Sequence, residues 1–456
     1  MKKAPLRTKS PKPYKPLYLA VVIYLATAWF WLFTVKVPDI TPSKGAGYAL
    51  VLTSFLILVS LSSSIFFVAI RYLEKQYRQH DKLSAWFLVK LVVIWATIEW
   101  LVSLIAALIW LGQDGSTDTV LPFGSLTPLA IYSPLRFLTR LVGFHGFSAI
   151  MLLMVCVIIF PKLRRWAAPV VGMVIGGALL VWLPYRTPTG PSLSATVLSG
   201  QITSMHDLPG TDTQTRLVVY PEYGLSMTSD MLKHLPGDSK ERFYVGSDRR
   251  MEPGTVAQNV LIFGSTKTGV TQRRPKSRLI PGGEYLPYTS TAGLRLFSQQ
   301  DAINQFRYTE AIERGPHDGS PLIIDEDIKL GSAVCASIIS TNDYREFTNN
   351  GATVLTNSAS LGLFNSPIFT KQHEGLARFM ATANARPFLQ SSYGNNAFAL
   401  DHNGRMLQKT GPISSADVVV QANTKKTPYS LVGEWVVYVG LSWALYALLR
   451  KFQRIF

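Results

Sequence analysis

Charge is scarce in this chain, and so are cysteine and histidine. Of its 456 residues only 16% are Asp, Glu, Lys or Arg against 48% apolar ones, and the mean hydropathy is positive. That balance leans away from an ordinary soluble enzyme. The two cysteines, Cys156 and Cys335, exclude a disulfide framework, because the first lies inside an apolar run and the second in a polar half far along the chain. No internal repeat or low-complexity tract is present. Acids are scarcer than bases, 28 against 45, which leaves a net charge of +17. In a soluble protein this would point to nucleic acid, but basic cytoplasmic loops of a membrane protein give the same sum. The placing of the charges decides between them.

What is abundant is long apolar sequence. Runs over 17–35, 47–70, 85–111, about 143–160 and 167–183 are each long enough to cross a bilayer, and the first carries no small-residue cleavage site, so it reads as a retained anchor. A basic arm of residues 1–16, with Lys2, Lys3, Arg7, Lys9, Lys12 and Lys15, precedes the first run. The link 71–82 carries Arg71, Lys75, Arg78 and Lys82, and the link 161–166 carries Lys162, Arg164 and Arg165, whereas 113–120 holds acids and no base. The positive-inside rule then makes the arm and both basic links cytoplasmic. Five crossings from an inside start leave residues 184–430 outside, and a sixth run at 431–449 returns the tail 450–456, with Arg450, Lys451 and Arg454, to the cytoplasm. Lys36, Lys44, Arg136 and Arg140 are exceptions on the outer side. Membrane orientation accounts for part of the charge excess, so no nucleic-acid partner is expected.

Two features of the membrane half invite more than one reading. The 121–142 segment is broken by Pro122, Pro128 and Pro134, and is either a pocket mouth or an amphipathic loop on the outer surface. Glu99, an ionisable group within a span, either has a structural partner in the bundle or a direct chemical role.

Residues 184–430 alternate short β-branched runs with helical stretches, which indicates α/β layering. Strands are expected at 195–202, 215–220, 255–263, 320–324, 332–338, 352–356, 388–392 and 417–421, and helices at 227–234, 298–312, 342–349 and 368–385. Three places here carry reactive groups. Glu222 follows a strand in Tyr220-Pro-Glu-Tyr-Gly224, Lys276 and Glu284 share the glycine-containing loop 274–285, and Cys335 ends an apolar strand. Taken alone, Cys335 is core filler or a nucleophile, since free cysteine is among the most buried residue types. Taken together they make a complete set for acyl transfer: a carboxylate to deprotonate the thiol, a lysine to stabilise the oxyanion, and sulfur to attack.

In their order, Tyr220-Pro-Glu-Tyr-Gly224, Lys276-Ser-Arg-Leu-Ile-Pro-Gly-Gly-Glu-Tyr285, Val334-Cys335, Asn350-Gly-Ala352 through Asn357, Ala377-Arg378 and Ala385-Arg386-Pro387, these residues resemble the carbon–nitrogen hydrolase (nitrilase) superfamily. More narrowly the pattern is similar to its membrane branch, the apolipoprotein N-acyltransferases. The likeness extends into the membrane half through Ile98-Glu-Trp-Leu101, Ser133-Pro134, Gly143 and Gly146. It implies a multi-pass α-helical membrane domain joined to an extracytoplasmic αββα nitrilase-like sandwich, in a bacterial cytoplasmic membrane. It implies Cys335 as nucleophile, Glu222 as general base, Lys276 as stabiliser of the tetrahedral intermediate and Glu284 as a supporting carboxylate. The donor would be a phospholipid, the acceptor a lipoprotein amine, and neither a cofactor nor a metal is expected. A membrane-anchored amidase or nitrilase, and a non-catalytic scaffold of the same fold, are the alternatives. The chain departs from the family pattern at Ala336-Ser337, where Tyr-Glu would follow the cysteine, at Gly282, and along Asn357-Ser-Ala-Ser-Leu-Gly362.

Overall fold

A computed structural model describes residues 14–35, 44–80, 83–113, 115, 124–200, 215–224, 233, 241–250, 255–362, 364 and 366–453. The basic residues Lys2 to Lys12, most of the acidic link 113–120, and the 227–234 helix apart from Lys233 lie outside the described residues.

The apolar runs form α1 (Tyr14–Trp29), α2 (Lys44–Gln79), α3 (Ala85–Ile109), α4 (Thr139–Ile159) and α5 (Ala167–Trp182). With their flanking turns, five helices among the described residues are long and apolar enough to cross a membrane: Lys15–Thr34, Gly47–Gln79, Ala85–Ile109, Pro134–Ile159 and Pro161–Tyr185. Large apolar side chains such as Val68, Met173 and Leu180 face outward, as expected where lipid replaces water as the solvent. α4 is the most enclosed of the five and packs against both α3 and α5.

The buried carboxylate of this bundle is well provided with donors. Glu99 on α3 accepts from Trp95 Nε1 at 2.8 Å, Ser125 Oγ at 2.9 Å and Ser148 Oγ at 2.6 Å. It is therefore a structural junction between α3, α4 and the segment before α4. That segment is folded into protein rather than laid on lipid. From residue 124 it makes a single turn at Thr127–Ala130 and a 3₁₀ turn at Pro134–Leu138, as its prolines dictate. Thr127 and Ile131 are fully buried. α4 begins at Thr139, before the expected boundary, and is broken at Gly143, whose φ is +73°. The break frees the amides of Phe144 and His145, which donate to the Glu434 carboxylate at 2.7 and 3.1 Å. A carboxylate on the freed N–H groups of a helix start is favoured by the helix dipole.

Among its described residues the polar half holds twelve strands. They divide into two six-stranded leaves, β1 (Ser192–Ser199), β2 (Leu217–Val219), β3 (Phe243–Arg250), β4 (Gln258–Ser265), β5 (Gly269–Pro275) and β12 (Ser414–Gln421), then β6 (Leu322–Ile323), β7 (Lys329–Val334), β8 (Val354–Ser360), β9 (Phe388–Tyr393), β10 (Phe398–Leu400) and β11 (Met406–Lys409). A single pairing, Ser199 with Ser392, joins the leaves. β3 packs across β7 and β8 without pairing to them, so the leaves face one another. Helices α6 (Tyr288–Leu296) and α7 (Gln300–Thr309) follow the Lys276–Glu284 loop, α8 (Thr341–Asn349) and α9 (Pro367–Asn384) pack on β7 and β9, and α10 (Trp435–Phe452) returns to α3 and α4. α10 is not among the five spans and ends on Arg450 and Lys451.

Several expectations change. The strand at 332–338 stops at Val334, because Cys335–Ile339 turns into a 3₁₀ helix. The helix expected at 298–312 is α7, Gln300–Thr309, and α6, Tyr288–Leu296, is an additional helix set off from it at Ser298, whose φ is +56°. β3 and β5 were not anticipated, since Asp248, Arg249, Arg250, Arg273 and Arg274 hide their alternation. β5 is a leaf edge and β3 beyond Val245 pairs with β4 alone, positions that tolerate such side chains.

The outer-side exceptions Arg136 and Arg140 join the two halves. Fully buried Arg140 donates to Thr382 O at 3.0 Å, His402 O at 3.0 Å, Asn403 Oδ1 at 2.8 Å and Val181 O at 3.4 Å. Thr382 and Val181 lie in the last turns of α9 and α5, where the helix dipoles are negative. Arg136 Nε adds a bond to Asn403 O at 2.8 Å.

Candidate active site

Lys276 and Cys335 follow directly on strands, Glu222 stands in the turn just beyond one, and Glu284 lies in the loop that Lys276 opens. Glu222 stands beyond β2 in a turn closed by Gly224 N donating to Pro221 O at 3.1 Å, and Glu222 N itself donates to Ala359 O at 3.3 Å. Lys276 is the first residue after β5, held by its amide on Asn259 O at 2.7 Å. Cys335 is the first residue after β7. Tyr223 and Cys335 both have positive φ, +61° and +44°, a left-handed conformation that costs a non-glycine residue of order 1 kcal/mol or more. Both strained residues lie at the point where the three strand ends meet.

Lys276 is the hub. Its Nζ is 2.8 Å from Glu222 Oε1 and 2.6 Å from Glu284 Oε1, with all three side chains buried. An ammonium has three N–H donors, so one remains to point at a reacting oxygen. Glu222 Oε1 also accepts from Asn259 Nδ2 at 2.5 Å, and Oε2 from Ser360 N at 3.1 Å. Glu284 Oε2 accepts from Ile280 N at 2.8 Å, a contact made possible by the turn at Gly282, whose φ is +77°. The Cys335 sulfur is 3.7 Å from Ser360 O, and the Glu222 carboxylate stands against the thiol as a hydrogen-bond acceptor.

The charges follow from this packing. Burial first, and then the negative charge of Glu222, push the Cys335 thiol well above its usual range, against the pull of Lys276. The resting sulfur is thus protonated, with a carboxylate beside it to take the proton. Burial opposes the Lys276 charge, but Glu222 and Glu284 more than offset it and hold the ammonium well above the ordinary lysine value. Burial raises Glu284 as well, with Lys276 opposing. An acceptor, a thiol and a fixed cation in one dry site are the parts needed for attack on an acyl carbonyl.

All four residues singled out in the sequence meet here. Three further participants had no motif. Asn259 is a fully buried amide next to the apolar stretch Val260–Phe263 of β4, and its signal is a polar residue in a buried strand. Arg278 and Asp343 form a buried pair, 3.0 Å from Nε to Oδ2 and 2.7 Å from Nη2 to Oδ1. Its only trace in sequence is Ser340-x-x-Asp343, a helix-start pattern.

No family model matches the chain. It is similar to the apolipoprotein N-acyltransferase of Vibrio vulnificus, 21% identical over 207 residues, 44% of this chain and 40% of that protein. A putative apolipoprotein N-acyltransferase of Bordetella parapertussis is 23% identical over 399 residues, 75% of this chain and 70% of its own length. The apolipoprotein N-acyltransferase of Verminephrobacter eiseniae is 24% identical over 391 residues, 72% of this chain and 68% of its own. The match thus spans two fifths of the Vibrio protein and about two thirds of the other two. Among solved structures, an amidase from Nesterenkonia sp. aligns with 54% of this chain and 94% of its own at 11% identity, with a TM-score of 0.38.

Proposed function

We propose that this chain, a divergent relative of the apolipoprotein N-acyltransferases, is a membrane N-acyltransferase that carries an acyl chain on Cys335. The observation that supports it most is the bridging of Glu222 and Glu284 by Lys276 beside the Cys335 thiol. In this reading residues 17–183 form the membrane domain, 184–430 the extracytoplasmic catalytic domain, 431–449 a final crossing, and 450–456 a cytoplasmic tail, in a bacterial inner membrane.

The chemistry runs in two halves. Glu222 takes the thiol proton as sulfur attacks the ester carbonyl of a phospholipid, and the free N–H of Lys276 receives the oxyanion. Collapse of the adduct breaks the ester C–O bond, the departing alkoxide takes the proton back from Glu222, and a thioester remains on Cys335. The terminal amine of a diacylglyceryl-lipoprotein then attacks the thioester, Glu222 accepts the amine proton and returns it to the leaving sulfur, and an amide is formed. One base and one oxyanion donor serve both attacks. The bundle suits such substrates, because lifting an acyl chain out of a bilayer costs ~0.8 kcal/mol per CH₂ group.

Membranes containing the chain are supplied with phospholipid bearing an alkyne-tagged acyl chain. The expected result is a hydroxylamine-sensitive label on Cys335 that passes to an added lipopeptide amine. Label that persists in Cys335→Ala would overturn the assignment, and free fatty acid without transfer would indicate a hydrolase.

A further inference from the structure

The Lys276 loop and the Cys335 turn belong to different leaves, and no strand pairing joins them. β5 ends at Pro275 on the outer edge of the first leaf, and β7 ends at Val334 in the second. A cleft lies between them, lined by Leu261, Lys276 and Ser277 on the β5 side and by Ser332, Ser337 and Asp343 on the β7 side, so an open gap rather than continuous packing separates the two. What spans it is the Arg278–Asp343 pair, two bonds of 3.0 and 2.7 Å with both side chains almost wholly buried.

The pair lies on a short bonded route between the two reactive groups. Arg278 is two residues from Lys276. Asp343 Oδ1 accepts from Ser340 Oγ at 2.7 Å, and Ser340 N donates to Ser337 O at 3.0 Å. Ser337 is two residues from Cys335, within the same 3₁₀ turn. That turn needs external support, because the φ of +44° at Cys335 persists only where the surroundings over-determine it. Stability by itself does not explain a buried ion pair, since apolar replacements of equal volume are often neutral or better. Geometry does: a bidentate guanidinium–carboxylate contact fixes distance and angle together. His317 also faces this carboxylate, its Nδ1 3.8 Å from Asp343 Oδ2 and its Nε2 3.3 Å from Glu346.

We propose that Arg278 and Asp343 are positioning residues, a strap that holds the Lys276 ammonium and the Cys335 turn at the separation the reaction requires. The proposal rests on the reading of Cys335 as nucleophile and Lys276 as its cation. Loosening the strap lets Lys276 drift from the sulfur, so the thiolate loses its nearest positive charge while Glu222 stays in place.

The test uses the full chain in detergent and follows Cys335 carboxamidomethylation by iodoacetamide between pH 6 and 10, read by mass spectrometry, with the melting temperature measured alongside. The variants are Asp343→Asn, Arg278→Gln and the apolar double Arg278→Met with Asp343→Leu. Each is expected to slow alkylation at pH 8 by about tenfold, one unit of thiol pKa, and to move the profile to higher pH. The double variant is expected to do so at a near-native melting temperature. Profiles that superimpose on the wild type while the melting temperature falls would reduce the pair to a structural role and overturn the proposal. Should the single variants fail to fold, the double variant decides by the same two outcomes. Alkylation needs no acyl donor, so failure of the acyltransferase reading appears separately, as acyl transfer that survives Cys335→Ala.

Discussion

Glu222→Gln should change the two measurable reactivities of Cys335 in opposite directions. The Glu222 charge stands against the thiol and raises it. At about 4 Å and an effective dielectric of about 20, a unit charge contributes ~4 kcal/mol. At ~1.36 kcal/mol per unit this is an upper bound of about three pKa units, of which the neutralising contact with Lys276 at 2.8 Å removes part. A glutamine keeps the acceptor for Lys276 and Asn259, loses the charge, and turns an N–H toward Ser360 N, which costs ~1–3 kcal/mol of stability. The thiolate should therefore form more easily, and iodoacetamide should label Cys335 at least tenfold faster at pH 7. Acyl transfer, which needs the carboxylate as base, should fall by about 10²–10⁴. The assay pairs labelling of Cys335 with lipopeptide acylation on one preparation. Parallel loss of both would refute the account, since it would mean that Glu222 only supports the fold.

The other predictions are shorter. Burial holds His373 down to about 4 from an ordinary 6.5, so the unfolded chain takes up a proton that the folded chain refuses. Its contribution is full above pH 6.5 and is lost toward pH 4 at ~1.4 kcal/mol per unit, ~3 kcal/mol in all. Melting curves of His373→Gln between pH 7 and 5 should be flatter than those of the parent, and equal slopes would contradict this. Gly143→Ala would place a Cβ 2.7 Å from Glu434 Oε1 at a φ of +73°, a conformational cost of ~1–2 kcal/mol before the clash. Limited proteolysis should then release the α10 end of the chain, and an unchanged digestion pattern would refute the docking role of Glu434. Arg140→Ala strips the acceptors His402 O and Asn403 Oδ1 of its guanidinium and leaves Thr382 O with Ala385 N alone, at ~1–3 kcal/mol for each buried acceptor left unpaired. It should lower the melting temperature and phospholipid-dependent acylation together, whereas Arg136→Ala, with one partner in the catalytic half, should cost less.

The five apolar helices follow from composition alone, because a run of about twenty carbon-rich residues has few other homes than a bilayer or a deep core. Glu222, Lys276, Glu284 and Cys335 were legible for a different reason. Glu222, Lys276 and Cys335 stand at or just beyond strand ends, Glu284 shares the glycine-containing loop after Lys276, and the chemistry of a thiol demands a base and a cation. The strand–helix boundary after Cys335 was misplaced, since Ala336-Ser-Ile-Ile339 carries β-like propensity while the left-handed cysteine forces a turn. Partner choice was beyond the sequence. Arg278 finds Asp343 across 65 positions and Phe144 finds Glu434 across 290, and no local pattern records which buried charge will meet which. The same holds for Arg136 and Arg140, where charge counting puts bases on the wrong side of a membrane, while the fold puts Arg140 on carbonyls at two helix ends and Arg136 on the turn carbonyl of Asn403. Residue type and spacing determined what chemistry and which solvent the chain is suited to. Only the tertiary structure decided which groups are close enough, and dry enough, to act on one another.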